Sequence, residues 1–341
     1  MGVLMTGLRL IFMGTPEFAV PSLDGLLAAG HDVALVCSQP DRPAGRGRKL
    51  AAPPIAQLAR ERGLPLFQPP SLKPPEAFAR LREVGADAIV VAAYGLILRR
   101  EVIELPPLGC LNVHASLLPR HRGAAPISAA ILAGDGETGV CIMRMDVGLD
   151  TGPAIARAAT PIGPGDDTPR LTERLAELGR DLLIETLPRW ADGGLTAEPQ
   201  DESLATYAPR IVREDARLDW SLPAEELSRR VRAYRGWPDA FTSWQGRQLK
   251  VLAARPVAAT LERAASGSGT REPAASGALS AAPVAPGTMV LLSGEHPPYP
   301  AVATGNGLLA LETVALEGKR PTAAVDFARG YRDIVGARLG T

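Results

Sequence analysis

The chain has 341 residues, of which 46% are hydrophobic and 22% charged, and its formal net charge at pH 7 is zero. This composition is typical of a soluble globular protein, and about 100–200 residues per domain predicts two domains. No apolar run is long enough for a membrane span and the N-terminus lacks the pattern of a signal peptide, so we expect a cytoplasmic protein. The balanced charge alone gives no reason to propose a nucleic acid partner.

The first half of the chain alternates apolar strands with helices. A strand at 8–13 precedes Pro16, the expected first residue of a helix that ends at Gly30. Strands then follow in DVALVCS, around Leu66 and in ADAIVVAAYG, with helices at 55–62 and 75–84 between them. This order predicts a Rossmann-like, doubly wound, mainly parallel sheet with ligands beyond the carboxyl ends of its strands. The first turn, GTPEFA, lacks the G-x-G-x-x-G pattern, which disfavours a dinucleotide site.

The second half ends in β-rich sequence. A helix over DDTPRLTERLAELGRDLLIETLPRWADG closes a catalytic domain at 1–195, and a linker at 196–212 leads to a C-terminal domain at 213–341. That domain starts with a helix capped by Ser221, and its short strands predict a small barrel or sandwich. Residues 264–287 are almost wholly Ala, Ser, Gly and Pro, so we expect a flexible insertion without a catalytic role.

Three cysteines are present, at Cys37, Cys110 and Cys141. They are odd in number and lie within apolar runs, so neither a disulfide framework nor a zinc site is indicated. We expect core thiols in a reducing compartment.

The stretch GCLNVHAS places two polar residues at the end of a buried strand. Because side chains alternate along a strand, Asn112 and His114 share one face while Leu111 and Val113 share the other. The carboxyl end of a strand is where doubly wound folds place their sites. The alternative is that His114 is a structural histidine with satisfied hydrogen bonds and that Asn112 forms a turn.

Two neighbouring motifs favour the functional interpretation. The loop SLLPRHRGAAP has two prolines and a glycine, so it is stiff and suited to recognising a shaped ligand. The turn VGLDTGP then holds Asp150 among glycines, where a carboxylate can move protons. An Asn, a His and an Asp without an activated nucleophile or metal set suit direct acyl transfer, with the oxyanion stabilised by hydrogen-bond donors.

At these residues the chain resembles a known family. LNVHASLLPRHRGAAPI followed by ETGVCIMRMDVGLDTGP is similar to the signature of the formyltransferases that use 10-formyltetrahydrofolate. The likeness extends through FMGTPEFAVPSL, SQPDRPAGRGRKL, VVAAYGLILRREVIELPPLGCLN, QDESLATYAPRI and ARLDWS, and so covers both domains. Within that family, the chain resembles the enzymes that formylate methionine esterified to initiator tRNA.

The resemblance implies that Asn112, His114 and Asp150 are catalytic. The neutral α-amine of initiator Met-tRNA would attack the formyl carbon of 10-formyltetrahydrofolate, giving a tetrahedral intermediate. Asn112 and protonated His114 would bind its oxyanion, while Asp150 would orient His114 and relay a proton to the departing folate nitrogen. Neither metal nor nucleotide is implied. His121 is interpreted as part of a basic rim.

The resemblance also implies where the two substrates bind. Folate would contact the SLLP motif and, at the neighbouring strand end, three further residues: Ser116, Leu117, Leu118, Pro119, Tyr94, Gly95 and Leu96. For Tyr94 the alternative is ordinary core packing. The loop QPDRPAGRGRKL would contact tRNA through four cations, Arg42, Arg46, Arg48 and Lys49, with Arg46 as the first choice; the alternative is a solvated basic loop. The C-terminal domain would be an OB-like β-barrel that holds tRNA, with Arg247, Lys250, Lys319 and Arg320 as candidates.

Rival functions remain open from the residues. A formyltransferase acting on glycinamide ribonucleotide shares the Asn-x-His pair and the aspartate turn. Formyltransferases acting on amino sugar nucleotides and the hydrolase domain of formyltetrahydrofolate dehydrogenase are further alternatives. A nicotinamide-dependent oxidoreductase fits the doubly wound pattern, and a non-catalytic tRNA-binding module fits the barrel with the basic loop. No obligate protein partner is evident, so we expect a monomer.

Overall fold

The computed structural model describes residues 7–44, 49–257, 284–292 and 298–340. The chain forms two compact units: the first comprises Met1–Ala130, Asp135–Pro164 and Arg170–Arg210, and the second comprises Ile131–Gly134, Gly165–Pro169 and Ile211–Thr341. The predicted domain bounds at 195 and 213 stay predictions, and the predicted insertion lies outside the described residues up to position 283. Within the described ranges, no helix is long and apolar enough to cross a membrane.

Up to residue 210 the chain alternates strands and helices. The strands are β1 (Arg9–Gly14), β2 (Asp32–Cys37), β3 (Arg42–Ala44), β4 (Lys49–Ala51), β5 (Leu66–Phe67), β6 (Ala88–Ala92), β7 (Cys110–His114), β8 (Arg122–Gly123), β9 (Glu137–Arg144), β10 (Ala154–Pro161) and β11 (Tyr207–Ala208). The helices are α1 (Val20–Ala28), α2 (Pro54–Glu61), α3 (Pro75–Glu83), α4 (Arg100–Ile103), α5 (Pro126–Ala133) and α6 (Thr168–Ala191).

A seven-stranded sheet forms the centre of the first unit, in the order β10-β9-β7-β6-β1-β2-β5. All neighbours from β7 to β5 pair in parallel, and β9 runs antiparallel to both β7 and β10. The chain moves outward from β1 to β5 and then returns to the other side of β1 at β6. In doubly wound folds, ligands bind at the carboxyl ends of the strands next to such a reversal. The predicted Rossmann-like, mainly parallel sheet is confirmed.

Apolar side chains cover both faces of this sheet. On β1, Leu10 and Phe12 belong to a core cluster with residues of α1, α2 and α6, while Ile11 and Met13 belong to another with residues of α3 and α4. A strand with helices on both sides is apolar at every position, which is why β1 and β6 read as continuous hydrophobic runs.

The second unit contains an antiparallel sheet. Its strands are β12 (Phe241–Trp244), β13 (Arg247–Val257), β14 (Met289–Leu292), β15 (Tyr299–Ala303), β16 (Leu308–Leu316) and β17 (Thr322–Ala323), and its helices include α7 (Ala224–Ala233) and α8 (Ala324–Gly330). The order is β12-β13-β16-β15-β14, with β17 on β16. Trp244, Phe327 and Tyr331 pack ring against ring in its core. The predicted C-terminal β domain is confirmed.

Two predicted helix starts are wrong. Pro16 precedes a short 3-10 helix, and α1 begins only at Val20, with Pro21 in its first turn, where a missing N–H costs no hydrogen bond. Ser221 does not cap α7, because its N–H and hydroxyl both bind the Asp219 carboxylate and Pro223 occupies the N-cap position. A nearby carboxylate thus competes successfully for the hydroxyl that would cap the helix.

Candidate active site

Strand β7 carries the predicted polar pair. Leu111 and Val113 lie in the core cluster beneath α1 and α6, and Asn112 and His114 lie on the opposite face, as predicted. Both polar residues are nearly buried, with exposed fractions of 9% and 6%. Neighbouring strands flank them on either side, since Asn112 pairs with a residue of β6 and one of β9. The sheet therefore fixes the direction in which both side chains point.

The imidazole of His114 is oriented from both sides. Its Nε2 atom lies 3.1 Å from the backbone oxygen of His121. A carbonyl oxygen only accepts, so this hydrogen bond requires a proton on Nε2. Its Nδ1 atom lies 3.7 Å from Oδ2 of Asp150, within ion-pair distance. Nδ1 is therefore the ring nitrogen that can exchange a proton at the site.

Asp150 sits in a tight turn between β9 and β10. Its φ of 52° lies in the left-handed region that a non-glycine residue adopts only when its surroundings hold it there. Its Oδ2 atom accepts a hydrogen bond of 2.8 Å from the backbone N–H of Gly123. Two neighbours shape the turn: Thr151 donates its hydroxyl to Asp146, and a Cβ added at Gly152 would lie 1.9 Å from a backbone oxygen. These contacts account for Asp146, Asp150, Thr151 and Gly152 in the D-x-G-L-D-T-G pattern.

Residues 121–123 connect the two catalytic candidates. The carbonyl of His121 binds His114, and the N–H of Gly123 binds Asp150. The interpretation of His121 as part of a basic rim is wrong: its ring is 5% exposed and lies 2.7 Å from a carboxylate oxygen of Asp135. The backbone contribution of this segment has no sequence signal, because any residue type has a carbonyl and an N–H.

The SLLP segment is anchored beside this pair. The Ser116 hydroxyl donates to the backbone oxygen of Arg120 at 2.6 Å. Leu118 is buried in an apolar cluster with residues of β9 and β10, whereas Leu117 and Pro119 are partly exposed. The segment is therefore stiff, as its proline suggests, and its contact with folate stays a prediction.

The Tyr94 side chain belongs to the core. Its ring is 2% exposed, its hydroxyl has no hydrogen-bond partner among the described residues, and burial raises the pKa of the phenol. Its backbone oxygen accepts from the Thr15 hydroxyl at 2.8 Å. The core-packing alternative therefore describes the ring, while Gly95, with a φ of 84°, is exposed and Leu96 is partly exposed. A folate contact from these three residues stays a prediction.

Comparison with known proteins identifies the family. Residues 8–187 match the family model "Formyl transferase", and residues 210–332 match "Formyl transferase, C-terminal domain". This chain belongs to the formyltransferase family.

Relatives of this formyltransferase cover almost its whole length. A methionyl-tRNA formyltransferase of Roseiflexus sp. (strain RS-1) is 46% identical over 98% of this chain and 95% of its own. One of Methylococcus capsulatus (strain ATCC 33009 / NCIMB 11132 / Bath) is 47% identical over 98% of this chain and all of its own, 100%. These two relatives confirm the resemblance read from the motifs.

Solved structures share the fold at low identity. An N-formyltransferase of Helicobacter canadensis, crystallised with folinic acid and dTDP-3-aminofucose, aligns with a TM-score of 0.62 at 17% identity, over 89% of this chain and 98% of its own. HypX of Aquifex aeolicus with tetrahydrofolic acid aligns with a TM-score of 0.61 at 16% identity, over 97% of this chain. This chain spans about half of HypX, 48% of its length. Both matches support the fold.

The basic loop of the formyltransferase is described only in part. Arg42 begins the hairpin of β3 and β4, and its guanidinium donates to the side-chain oxygen of Gln39 at 2.8 Å. Arg46 and Arg48 lie outside the described residues, and Lys49 is described by its backbone alone, as the first residue of β4. The tRNA contacts of this loop stay predictions.

Candidate cations of the second unit differ in their surroundings. Lys250 forms an ion pair with Asp239 at 2.9 Å, and Arg247 donates to the backbone oxygen of Glu317 at 2.7 Å. Lys319 and Arg320 are exposed after β16. Their contact with tRNA also stays a prediction.

Proposed function

We propose that this formyltransferase transfers the formyl group of 10-formyltetrahydrofolate to the α-amine of methionine on initiator Met-tRNA, giving formylmethionyl-tRNA for translation initiation. Two relatives named methionyl-tRNA formyltransferase, 46% and 47% identical over 98% of this chain, support the choice of acceptor. The chemistry rests on one observation: Nδ1 of His114 lies 3.7 Å from Oδ2 of Asp150, on the face of β7 that Asn112 shares. A role in translation initiation implies a cytoplasmic protein.

Asn112 and His114 stabilise the charge that develops on the formyl oxygen. Asn112 donates an amide N–H, and protonated His114 donates from Nδ1 because its Nε2 is bound by the carbonyl of His121. Both side chains are nearly buried, so a hydrogen bond to a developing oxyanion acts in a medium of low dielectric constant. The strand holds both donors before the substrate arrives, which avoids a reorganisation cost during the reaction.

Asp150 orients His114 and carries the proton. A bond forms between the amine nitrogen and the formyl carbon, and the amine loses a proton. When the tetrahedral intermediate collapses, the bond from the formyl carbon to the folate nitrogen breaks and that nitrogen gains the proton. Oδ2 of Asp150 accepts from Gly123, which leaves Oδ1 to relay the proton, directly or through water. Side chains handle both the charge and the proton, so the step needs neither a metal nor a nucleotide.

Separate loops bind the two substrates. The stiff SLLP segment provides one wall of a slot for the flat folate ring, and the backbone at Gly95 and Leu96 provides another. The four cations of the basic loop, Arg42, Arg46, Arg48 and Lys49, contact phosphates of the acceptor arm, together with the second unit. Phosphate contacts release counterions, so tRNA binding weakens as salt rises.

A competition assay tests the choice of acceptor. The enzyme is given labelled 10-formyltetrahydrofolate with equal concentrations of Met-tRNA, glycinamide ribonucleotide and a dTDP-linked amino sugar. We expect the label on Met-tRNA alone. Label on either nucleotide amine, or release of formate as the main product, would overturn the proposal.

A further inference from the structure

Arg122 is a buried cation between two residues whose backbone groups bind the catalytic pair: His121 binds His114, and Gly123 binds Asp150. The guanidinium of Arg122, between His121 and Gly123, has 0% exposure. It donates to both carboxylate oxygens of Glu202, at 2.9 and 2.7 Å, and from two nitrogens to the side-chain oxygen of Gln200, at 3.0 and 2.9 Å. The Glu202 hydrogen bonds raise the pKa of Arg122, so it stays charged. A buried charge is costly unless its donors are paired, and here Glu202 and Gln200 accept from all three guanidinium nitrogens.

Arg122 fixes the orientation of the Gln200 amide. A guanidinium has only donors, so the amide oxygen of Gln200 must face it. The amide nitrogen must then face the opposite way, where it donates to the backbone oxygens of Asp150 at 2.8 Å and Gly152 at 2.6 Å. A reversed amide would set its oxygen against these two carbonyls and its N–H groups against the cation.

These hydrogen bonds hold the turn that carries Asp150. The left-handed φ of Asp150 persists only where neighbouring groups determine the backbone. Gln200 binds the backbone oxygens on both sides of Thr151, while Gly123 binds the carboxylate of Asp150. The backbone around Asp150 is therefore held by Gln200, and the Asp150 carboxylate is held by Gly123. Both residues adjoin Arg122, Gln200 through hydrogen bonds and Gly123 as the next residue in the chain.

We propose that Gln200, oriented by Arg122, is a positioning residue that sets the distance between the Asp150 carboxylate and Nδ1 of His114. Gln200 touches Asp150 and not the reacting atoms, so it acts on the reaction only through Asp150. The inference rests on the proposed function, since it takes Asp150 as the proton carrier.

A purely structural role makes a different prediction. The backbone of this region is already joined, because β8 pairs with β11 and the N–H of Arg122 donates to the oxygen of Thr206 at 2.8 Å. If the Gln200 side chain served only to tie segments together, its loss would lower the melting temperature and leave kcat per folded molecule unchanged. The proposal instead requires a fall in kcat.

Two variants of the full chain separate the role of the Gln200 amide oxygen from the role of its N–H groups. Gln200→Glu keeps an oxygen for Arg122 and removes both donors, whereas Gln200→Ala removes both functions. We expect kcat to fall roughly ten- to a hundredfold in each, as for a small misplacement of a catalytic group, with KM for both substrates changed by less than about twofold. Gln57→Ala is the control, because it also removes an amide donor to a backbone carbonyl, that of Ala52 at 2.7 Å, and should leave kcat unchanged. Wild-type kcat in Gln200→Glu would overturn the proposal, because it would show that the oxygen facing Arg122 suffices without the two N–H donors.

A double-mutant cycle distinguishes positioning from other effects. If Gln200 acts through Asp150, Gln200→Ala will lower kcat in the wild-type background and have no effect in an Asp150→Ala background. An equal fall in both backgrounds would overturn the positioning role while leaving the proposed function intact. Full turnover in Asp150→Ala itself would instead remove the catalytic assignment on which the inference rests. Thermal melts of each variant confirm that kcat refers to folded enzyme.

Discussion

The Nδ1 atom of His114 lies 3.7 Å from the Oδ2 atom of Asp150, a separation within ion-pair range and too long for a hydrogen bond. Each partner has its own anchor, since His114 is bound by the carbonyl of His121 and Asp150 by the N–H of Gly123. Catalytic hydrogen bonds are often long before substrate binds and shorten in the reactive complex. The pair is thus oriented for proton transfer, although no hydrogen bond joins the two side chains at this distance.

Replacing His114 tests the charge stabilisation directly. We expect His114→Ala to lower kcat by roughly 10²–10⁴-fold, because an acid–base group is lost, with folate and tRNA affinity largely retained. Steady-state kinetics and equilibrium binding give the two quantities. His31→Ala is a control, because His31 lies beside the N-terminal end of β1, where its Nδ1 accepts from the backbone N–H of Leu8. Unchanged turnover in His114→Ala would contradict the catalytic assignment.

Asn112 should stabilise the transition state and contribute little to substrate binding in the ground state. Removing one oxyanion donor typically costs roughly 10²–10³-fold in kcat, so we expect a loss of that size in Asn112→Ala. The exposed Asn306 of the second unit offers a matched substitution, Asn306→Ala, that should be neutral. A rise in KM with wild-type kcat for Asn112→Ala would show that the amide binds substrate in the ground state instead.

Arg42 should act through charge. We expect Arg42→Ala to raise KM for Met-tRNA without changing KM for 10-formyltetrahydrofolate, and to reduce the slope of log affinity against log salt by about 1. Arg62, which follows α2, is an exposed arginine paired with Asp24 of α1, so Arg62→Ala controls for net charge. An unchanged salt slope in Arg42→Ala would leave its bond to Gln39 as the whole of its role.

The thiols should be unreactive in the folded protein. Burial raises the pKa of Cys37, Cys110 and Cys141 to about 12, so each stays neutral at pH 8. We expect no labelling by iodoacetamide at pH 8 until the chain is unfolded, then labelling of all three. Because the folded state holds these protons more tightly, this contribution to stability is complete below the unfolded thiol pKa, near 9, and is lost as pH rises toward 12. Rapid labelling of the native protein would contradict core placement.

Local patterns predicted one half of the catalytic pair. Alternation along β7 placed Asn112 and His114 on one face, because that rule depends only on neighbours in the chain. The approach of Asp150 to His114 depends on how β9 returns antiparallel to β7 and how the following turn folds back. No local pattern contains this information, and only the likeness to the family indicated it.

Other features were missed for similar reasons. Gln200 and Arg122 carry no signal as single residues, since a buried arginine is recognised only when its partners are known. Ser221 has the residue type and position expected of a helix cap, but its hydroxyl donates to Asp219 instead. Tyr94 stands at a strand end where ligands bind, yet its ring turns into the core. Packing decides between such alternatives, and packing involves residues distant in the chain.

The most direct test of the central claim is a formyl-transfer assay with 10-formyltetrahydrofolate as donor and initiator or elongator Met-tRNA as acceptor. Both tRNAs carry the same amine, so a difference in kcat/KM reports recognition of the tRNA body. We expect rapid formylation of the initiator and little of the elongator. Equal rates on both would contradict a role in initiation, and no transfer to either would contradict the proposed activity itself.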